Sequence, residues 1–192
     1  MKTFNIVLSG VGGQGVILAS KILSMAGIES GYDVKQSEVH GMSQRGGSVT
    51  SHVRIGEKVY SPLITEGEAD VVIAFELLEA LRTKHWTNKN GILIFNTMKI
   101  NPITVSSGMA EYPEGIVEKI NELKCKTYAI DALELAKKAG SPKAVNMVLV
   151  GAASNVLPIK ENIWETVLKN NIPEKILDIN FKAFEYGKNC IQ

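Results

Sequence analysis

A glycine-rich loop near the N-terminus, between a strand pattern and a helix pattern, limits the possible folds of this chain more than any other part of the sequence. Residues 4–8 (FNIVL) are a short β-rich run, and residues 10–15 (GVGGQG) follow with the spacing G-x-G-x-x-G. Apolar side chains then recur at helical spacing up to residue 30, and Gly31 ends the pattern. A strand, a tight glycine turn and a helix in this order predict the first unit of an α/β fold.

The rest of the chain alternates between predicted strands and helices. Further strands are predicted at residues 32–36, 48–55, 58–64, 70–75, 91–96 and 126–130. Further helices are predicted at residues 76–85, 132–139, 143–155 and 160–167, before a helical C-terminal segment. This alternation predicts one domain over residues 1–192, with a doubly wound, mostly parallel, Rossmann-like sheet. Gly56-Glu57 predicts a turn that joins strands 48–55 and 58–64 into a hairpin at one edge of the sheet.

The glycine loop is the first candidate binding site. Glycines permit a tight turn and let backbone N–H groups approach a phosphate, while the helix N-terminus favours an anion. The candidate residues are Gly10, Gly12, Gly13, Gln14 and Gly15. The carboxylate of Glu38 lies near the position where a ribose-binding acid often follows the second strand. A turn that merely links strand to helix remains the alternative.

The segment after the second predicted strand is the most distinctive part of the sequence. Residues 37–47 (SEVHGMSQRGG) combine a carboxylate, an imidazole, an amide and a guanidinium with three glycines. We predict a ligand-binding loop here, with the candidate residues Glu38, His40, Gly41, Met42, Gln44, Arg45, Gly46, Gly47 and Ser48. The guanidinium of Arg45 can hold a phosphate or carboxylate through two parallel hydrogen bonds, and His40 can titrate near neutral pH. A solvated surface loop is the alternative.

Several kinds of chemistry find no support in the sequence. The only cysteines, Cys125 and Cys190, are far apart and lack CxxC spacing, which excludes a four-cysteine zinc or iron–sulfur site from this chain alone and fits a reducing cytoplasm. Neither a nucleophile–base arrangement nor a metal-ligand cluster is visible, so no catalytic residue is assigned. His52 and Arg54 are predicted to form a polar outer face of their strand.

Charge and hydropathy exclude two classes of partner. The formal net charge of +1 gives no strong field that would attract nucleic acid or an anionic membrane. No apolar run approaches the roughly 20 residues that a membrane-spanning helix needs, and the N-terminus lacks a signal-peptide pattern. We therefore expect a cytoplasmic protein without nucleic-acid or membrane partners.

Two separated motifs carry a resemblance to a known family. Residues 10–15 and 37–47, followed by residues 48–54 (SVTSHVR), 61–63 (SPL) and 70–82 (DVVIAFELLEALR), resemble the gamma-type domain of 2-oxoacid:ferredoxin oxidoreductases. The motif HGMSQRGG (residues 40–47) is most similar to that of the beta subunit of the indolepyruvate type. The resemblance covers residues 4–100 and, more loosely, the rest of the chain.

The resemblance implies a subunit of a redox complex. The family's reaction is oxidative decarboxylation of a 2-oxoacid with coenzyme A, using thiamine diphosphate and [4Fe-4S] clusters, with ferredoxin as acceptor. This chain has neither a GDG…NN thiamine-binding pattern nor cluster cysteines. A larger partner subunit is therefore implied to hold both cofactors. The alternatives are a stand-alone Rossmann-type nucleotide-binding protein and a purely structural subunit.

A candidate partner surface lies in the second half of the chain. Residues 144–154 predict an apolar helix with small residues at Gly151, Ala152 and Ala153, which would let a partner approach closely. If that surface is exposed in the isolated chain, we expect self-association, for example as a homodimer. The alternative is that this helix packs on the chain's own sheet.

Overall fold

The computed structural model describes residues 3–40 and 47–191. In this part of the chain, six strands form one sheet: β1 (Phe4–Val11), β2 (Asp33–His40), β3 (Ser48–Gly56), β4 (Ala69–Ala74), β5 (Thr87–Asn96) and β6 (Lys126–Ile130). Their order across the sheet is β2-β3-β1-β4-β5-β6. The neighbours β1, β4, β5 and β6 pair in parallel, whereas β3 is antiparallel to both β1 and β2. The prediction of an α/β, mostly parallel sheet is confirmed.

Helices cover both faces of this sheet. The described α-helices are α1 (Val16–Glu29), α2 (Leu77–Thr83), α3 (Ile103–Ser106), α4 (Ile116–Asn121), α5 (Ala132–Ala139), α6 (Val145–Ser154), α7 (Glu161–Asn171) and α8 (Glu174–Lys188). Ile6 and Leu8 of β1 share a buried cluster with α1 and α5 to α8. Val7 points to the other face and clusters with α2 and α4, as the two-residue period of a strand requires. Among the described residues, no helix is long and apolar enough to cross a membrane.

The edge hairpin exists, but it is built from other residues than predicted. β2 and β3 pair from Asp33↔Gly56 to His40↔Val49, and they occupy one edge of the sheet. Residues 57–68, all of them described, contain no strand, so the prediction of a strand at 58–64 and of a Gly56-Glu57 hairpin turn is wrong. The reason is that both sides of β3 are already paired, with β1 and with β2, which leaves no edge for residues 58–64.

The segment 57–68 instead lies against the face of β3. Arg54 Nη1 donates to the carbonyl oxygens of Ser61 and Leu63, each at 3.0 Å, and Ile64 N donates to His52 Nδ1 at 3.1 Å. His52 is buried and contacts the ring of Trp86 edge-on, with ring centroids 4.8 Å apart. The prediction of an outward-facing polar face at His52 and Arg54 is therefore wrong for His52.

The small residues of α6 serve packing within the chain. All ten residues of α6 are buried. A Cβ atom added at Gly151 would lie 2.0 Å from the carbonyl oxygen of Phe184 in α8, and one added at Gly187 would lie 1.8 Å from that of Val148. Each glycine thus lets the backbone of the other helix approach. The proposed use of this helix as a partner surface is wrong, and the alternative of internal packing is confirmed.

Candidate functional site

The glycine loop (residues 10–15) turns sharply from β1 into α1. A Cβ at Gly10 would lie 2.7 Å from Val16 Cγ2 and 2.9 Å from Phe75 Cβ, so the helix can follow the strand this closely only with glycine there. Gly15 has φ +79°, in the left-handed region that glycine adopts without strain. Gly13 has φ +100° and open space beside it. The loop geometry therefore depends on its glycines.

The side-chain amide of Gln14 stabilises the glycine loop through two hydrogen bonds to backbone groups. Its Oε1 accepts from Val11 N at 2.7 Å, and its Nε2 donates to the carbonyl oxygen of Phe75 at 2.9 Å. The backbone N–H of Gln14 donates to Val11 O at 3.1 Å. The amide thus links the loop after β1 to the end of β4, and these groups are already engaged within the chain.

The two motifs that the sequence singles out are neighbours in space. The β2–β3 loop, as residues 41–47 are called from here on, joins β2 to β3 at the edge of the sheet where β1 ends. Gly12 N donates to Gly47 O at 2.9 Å, and Ser48 pairs with Val11 in the β1–β3 ladder. The downstream end of the β2–β3 loop is therefore fixed directly against the glycine loop.

The glycine loop, with Gly47 and Ser48 beside it, lies at the topological switch point of the sheet. β1 and β4 are parallel neighbours, but α1 leaves β1 toward one face and α2 leaves β4 toward the other. Open α/β sheets bind ligands in the crevice outside the carboxyl ends of two such strands. A surface cavity of about 700 Å³ adjoins the glycine loop, lined by apolar side chains of α1 and β3 and by Lys21.

The loop offers fewer donors to an anion than its sequence suggests. The N–H groups of Gly12 and Gln14 donate to backbone carbonyls. The first-turn N–H groups of α1 and the ammonium of Lys21 are donors that an anion at the start of this helix can use. The arrangement suits an anionic group at the start of α1 better than a pyrophosphate wrapped by the loop itself.

The predicted site residues of the motif 37–47 do not form one loop: two of them lie in β2, and five lie outside the described residues. Glu38 lies inside β2 rather than in a loop, because pairing with β3 continues to His40. It accepts from Gln36 Nε2 at 2.9 Å, and β3 separates its strand from β1, so it is not beside the glycine loop. His40 is the last residue of β2. Gly41, Met42, Gln44, Arg45 and Gly46 lie outside the described residues.

Two buried carboxylates at the end of β4 were not predicted as site residues. Glu76, 1% exposed, accepts from Glu79 N, from Ile100 N and from the hydroxyl of Tyr112, the last at 2.6 Å. Burial and this carboxylate raise the pKa of Tyr112 well above its ordinary value, so its hydroxyl keeps the proton that it donates. Glu76 thereby fixes both ends of the segment that carries α3.

Glu79 makes the corresponding link to the β2–β3 loop. Its side chain is 2% exposed; Oε2 accepts from Ser48 Oγ and Oε1 from Arg82 Nη1, both at 2.6 Å. Ser48 directly follows the β2–β3 loop. The only signal in the sequence was a pair of acidic residues three apart at the start of a helix after an apolar strand, a pattern that usually marks helix capping.

The fold defines a Rossmann-like α/β domain with a crevice at the β1/β4 switch point, the edge where open α/β sheets bind ligands. The chain belongs to the pyruvate ferredoxin/flavodoxin oxidoreductase family, whose model matches residues 5–190. It is 43% identical to the indolepyruvate oxidoreductase subunit IorB of Thermococcus kodakarensis, over 97% of this chain and 95% of that protein.

Solved structures share the fold. Pyruvate oxidoreductase subunit PORC from Thermotoga maritima superposes with a TM-score of 0.75 at 23% identity, covering 100% of this chain and 98% of that one. The 2-oxoglutarate:ferredoxin oxidoreductase from Magnetococcus marinus, solved with 2-oxoglutarate, coenzyme A and succinyl-CoA, gives a TM-score of 0.74 at 24% identity. That match covers 99% of this chain and 31% of the other, so the same fold is there one part of a longer chain.

Proposed function

We propose that this chain is the small subunit of a 2-oxoacid:ferredoxin oxidoreductase that acts on indolepyruvate or another aryl oxoacid. The observation that carries the proposal is the end-to-end similarity to the Thermococcus kodakarensis IorB subunit, at 43% identity. In this proposal the complex converts the oxoacid and coenzyme A to an acyl-CoA and carbon dioxide, and ferredoxin receives the electrons.

The redox groups are assigned in this proposal to a larger partner subunit. A [4Fe-4S] cluster takes four cysteine thiolates, and this sequence has two cysteines. Among the described residues, no group of three or more His, Cys, Asp or Glu side chains could hold a metal ion. The donor set of this chain does not fit a cluster. Thiamine diphosphate, which supplies the electron sink for the acyl carbanion, is assigned to the same partner because its sequence pattern is missing here.

The contribution of this chain is proposed to be ligand binding at the switch point. Gly47 and Ser48 meet the glycine loop at one sheet edge, where the start of α1 and the ammonium of Lys21 suit phosphate groups. The proposal adds the guanidinium of Arg45, which precedes Gly47 by two residues in the sequence. Coenzyme A is the co-substrate that carries such groups. We therefore assign these residues to coenzyme A binding within the complex.

A stand-alone nucleotide-binding protein has less support. The relative that matches from end to end is named as a subunit. Glu38 is two strands away from β1, where it does not meet a ribose held on the glycine loop.

Co-expression with the larger subunit tests the proposal. The product of the neighbouring reading frame, where it carries thiamine-binding and cluster-cysteine patterns, is produced anaerobically together with this chain. We expect one complex by size exclusion and viologen reduction that depends on both indolepyruvate and coenzyme A. Absence of a complex, or a complex that reduces viologen with no 2-oxoacid, contradicts the proposal.

A further inference from the structure

One buried carboxylate closes the connection between β5 and α4. Glu76 accepts from Ile100 N at 3.0 Å and from the hydroxyl of Tyr112 at 2.6 Å. Residues 101–111, called the arm from here on, therefore leave the edge of the sheet and return to it at the same point. Closed surface loops of this size are compact and frequently functional. The two hydrogen bonds fix where the arm projects, which lowers the entropy cost of binding a partner through it.

The arm is exposed, but its composition is that of a covered surface. Ile103 is 66% exposed and Met109 is 72% exposed, while Met109 N donates to Thr104 O at 2.9 Å and joins the two sides of the arm. Residues 101–110 (NPITVSSGMA) contain no charged side chain, although charged residues make up 21% of the chain. Charged residues are depleted and methionine is enriched in the cores of protein–protein interfaces. This composition indicates a surface that a partner protein covers.

The arm projects from the sheet edge to which coenzyme A is assigned under the proposed function. Its first residue, Asn101, lines a small cavity together with Val11 at the end of β1 and Arg82 of α2. Ile17 in the first turn of α1 and Val39 near the end of β2 are also more than half exposed at this edge. Exposed apolar side chains therefore occur along the whole edge, from β2 to the connection after β5.

We infer that the arm docks into an apolar groove of the larger, thiamine-binding subunit. The inference rests on the proposed function, in which this edge binds coenzyme A and the partner holds thiamine diphosphate. Both groups act on the same acyl group, so the partner has to face the edge from which the arm projects. A second copy of this chain at the same edge would keep the two groups apart, and it is therefore not the occupant that the proposal names.

The first test measures Kd between this chain and the purified larger subunit. Ile103→Glu combined with Met109→Glu places two carboxylates on the arm. Tyr60→Glu combined with Leu63→Glu is the matched control, because both side chains are exposed, and they lie in the segment 57–68, which joins β3 to β4 at the opposite edge. We expect the arm variant to raise Kd at least about ten-fold and the control to leave it unchanged, since an unpaired carboxylate is costly to bury in an apolar interface.

Hydroxyl-radical footprinting provides a second readout that needs no substitution. We expect Met109 to be labelled readily in the subunit alone and several-fold less in the complex. Tyr60, which is 87% exposed, should be labelled equally in both states. If the arm variant melts at a lower temperature than the control variant, the footprint of the unsubstituted chain decides the question.

The outcomes separate the docking inference from the proposed function. A complex in which the arm variant and the control bind equally well, or in which Met109 is labelled as in the free chain, contradicts the inference and leaves the proposed function standing. Protection of Met109 that appears when this chain alone is concentrated shows that a second copy covers the arm, which also contradicts the inference. If the unsubstituted chain does not bind the larger subunit, the proposed function fails and the inference fails with it.

Discussion

Arg45 and Arg54 are expected to have different roles. Arg54 donates from Nε to Asn5 Oδ1 at 3.0 Å and from Nη1 to two carbonyl oxygens of the segment 57–68, so it holds that segment on the sheet. Arg45 lies in the β2–β3 loop, outside the described residues, and we propose that it holds an anionic group of coenzyme A. We therefore expect one guanidinium to stabilise the fold and the other to bind the ligand.

Alanine substitution should separate these roles. Arg45→Ala should change the free energy of unfolding by no more than about 0.5 kcal/mol, as surface substitutions do, but weaken coenzyme A binding about ten-fold or more. Arg54→Ala should instead lower the free energy of unfolding by about 1–3 kcal/mol, because three hydrogen bonds from a charged donor are lost. Urea unfolding of the subunit and KM for coenzyme A in the complex measure the two effects. An unchanged KM in Arg45→Ala would mean that Arg45 is an ordinary surface residue.

His52 predicts a pH dependence of stability. Burial lowers the pKa of His52 below its ordinary value of 6.5, and its Nδ1 accepts from Ile64 N, so the folded state holds it neutral. The unfolded chain therefore takes up this proton first as pH falls. Stability should be fully present above about pH 6.5 and should fall as pH decreases through the lowered folded pKa.

The melting temperature between pH 8 and pH 5 measures this effect. His52→Gln keeps an acceptor for Ile64 N without titrating, so its melting temperature should fall less over this range than that of the unsubstituted chain. His85→Gln, at a half-exposed histidine, is the control and should keep the original profile. Equal profiles for all three proteins would refute the role of His52.

At the residue scale, sequence reasoning located the motifs but not the contacts that hold them. The glycine spacing 10–15 predicted a tight turn, and Gly10 and Gly15 have the surroundings and conformation that such a turn needs. Besides one local partner each, Glu76 and Glu79 bind partners that are 24 to 36 residues away in the chain. Such contacts depend on which strands become neighbours, which no local pattern contains.

Among the elements, α6 and α8 pack closely through one glycine from each helix, Gly151 and Gly187, and this contact yields a stability prediction. Gly151→Ala should lower the free energy of unfolding by about 1–3 kcal/mol. The new Cβ would lie 2.0 Å from a backbone atom of α8, and a backbone atom cannot avoid the clash by changing rotamer as a side chain can. Gly27→Ala is the matched comparison. Its Cβ would meet the side-chain atom Val34 Cγ2 at 2.8 Å, and alanine favours a helix by about 0.5–1 kcal/mol.

Urea unfolding of the two variants tests the helix packing. The midpoint should fall clearly for Gly151→Ala and by much less for Gly27→Ala. A smaller loss for Gly151→Ala than for Gly27→Ala would contradict the close approach of the two helix backbones.

Element prediction succeeded where local pattern and sheet position agree. β6 and α5 begin and end at the predicted residues, 126–130 and 132–139, because the strand follows a parallel neighbour and Asp131 caps the helix by accepting from Glu134 N. The strand predicted at 58–64 failed because β1 and β2 already flank β3. β2 is longer than predicted and extends to His40, because it pairs with β3 along its whole length.

For the whole molecule, α6 cannot serve as the partner surface, because all ten of its residues are buried within the chain. The subunit proposal therefore depends on family membership and on the chemistry that the chain lacks. It predicts that the subunit, purified anaerobically on its own, is colourless and free of iron, sulfide and thiamine. Metal and thiamine analysis checks this prediction. Iron in stoichiometric amounts, bound as a cluster, would refute it.

Titration of one purified subunit with the other tests the central claim most directly. Increasing amounts of this chain are added to the larger thiamine-binding subunit, and viologen reduction by indolepyruvate and coenzyme A is followed. We predict no turnover by this chain alone, and activity that rises with added chain to a plateau at a fixed subunit ratio. Turnover by this chain alone, or activity of the larger subunit that is unaffected by this chain, would contradict the claim that it is an essential small subunit of the complex.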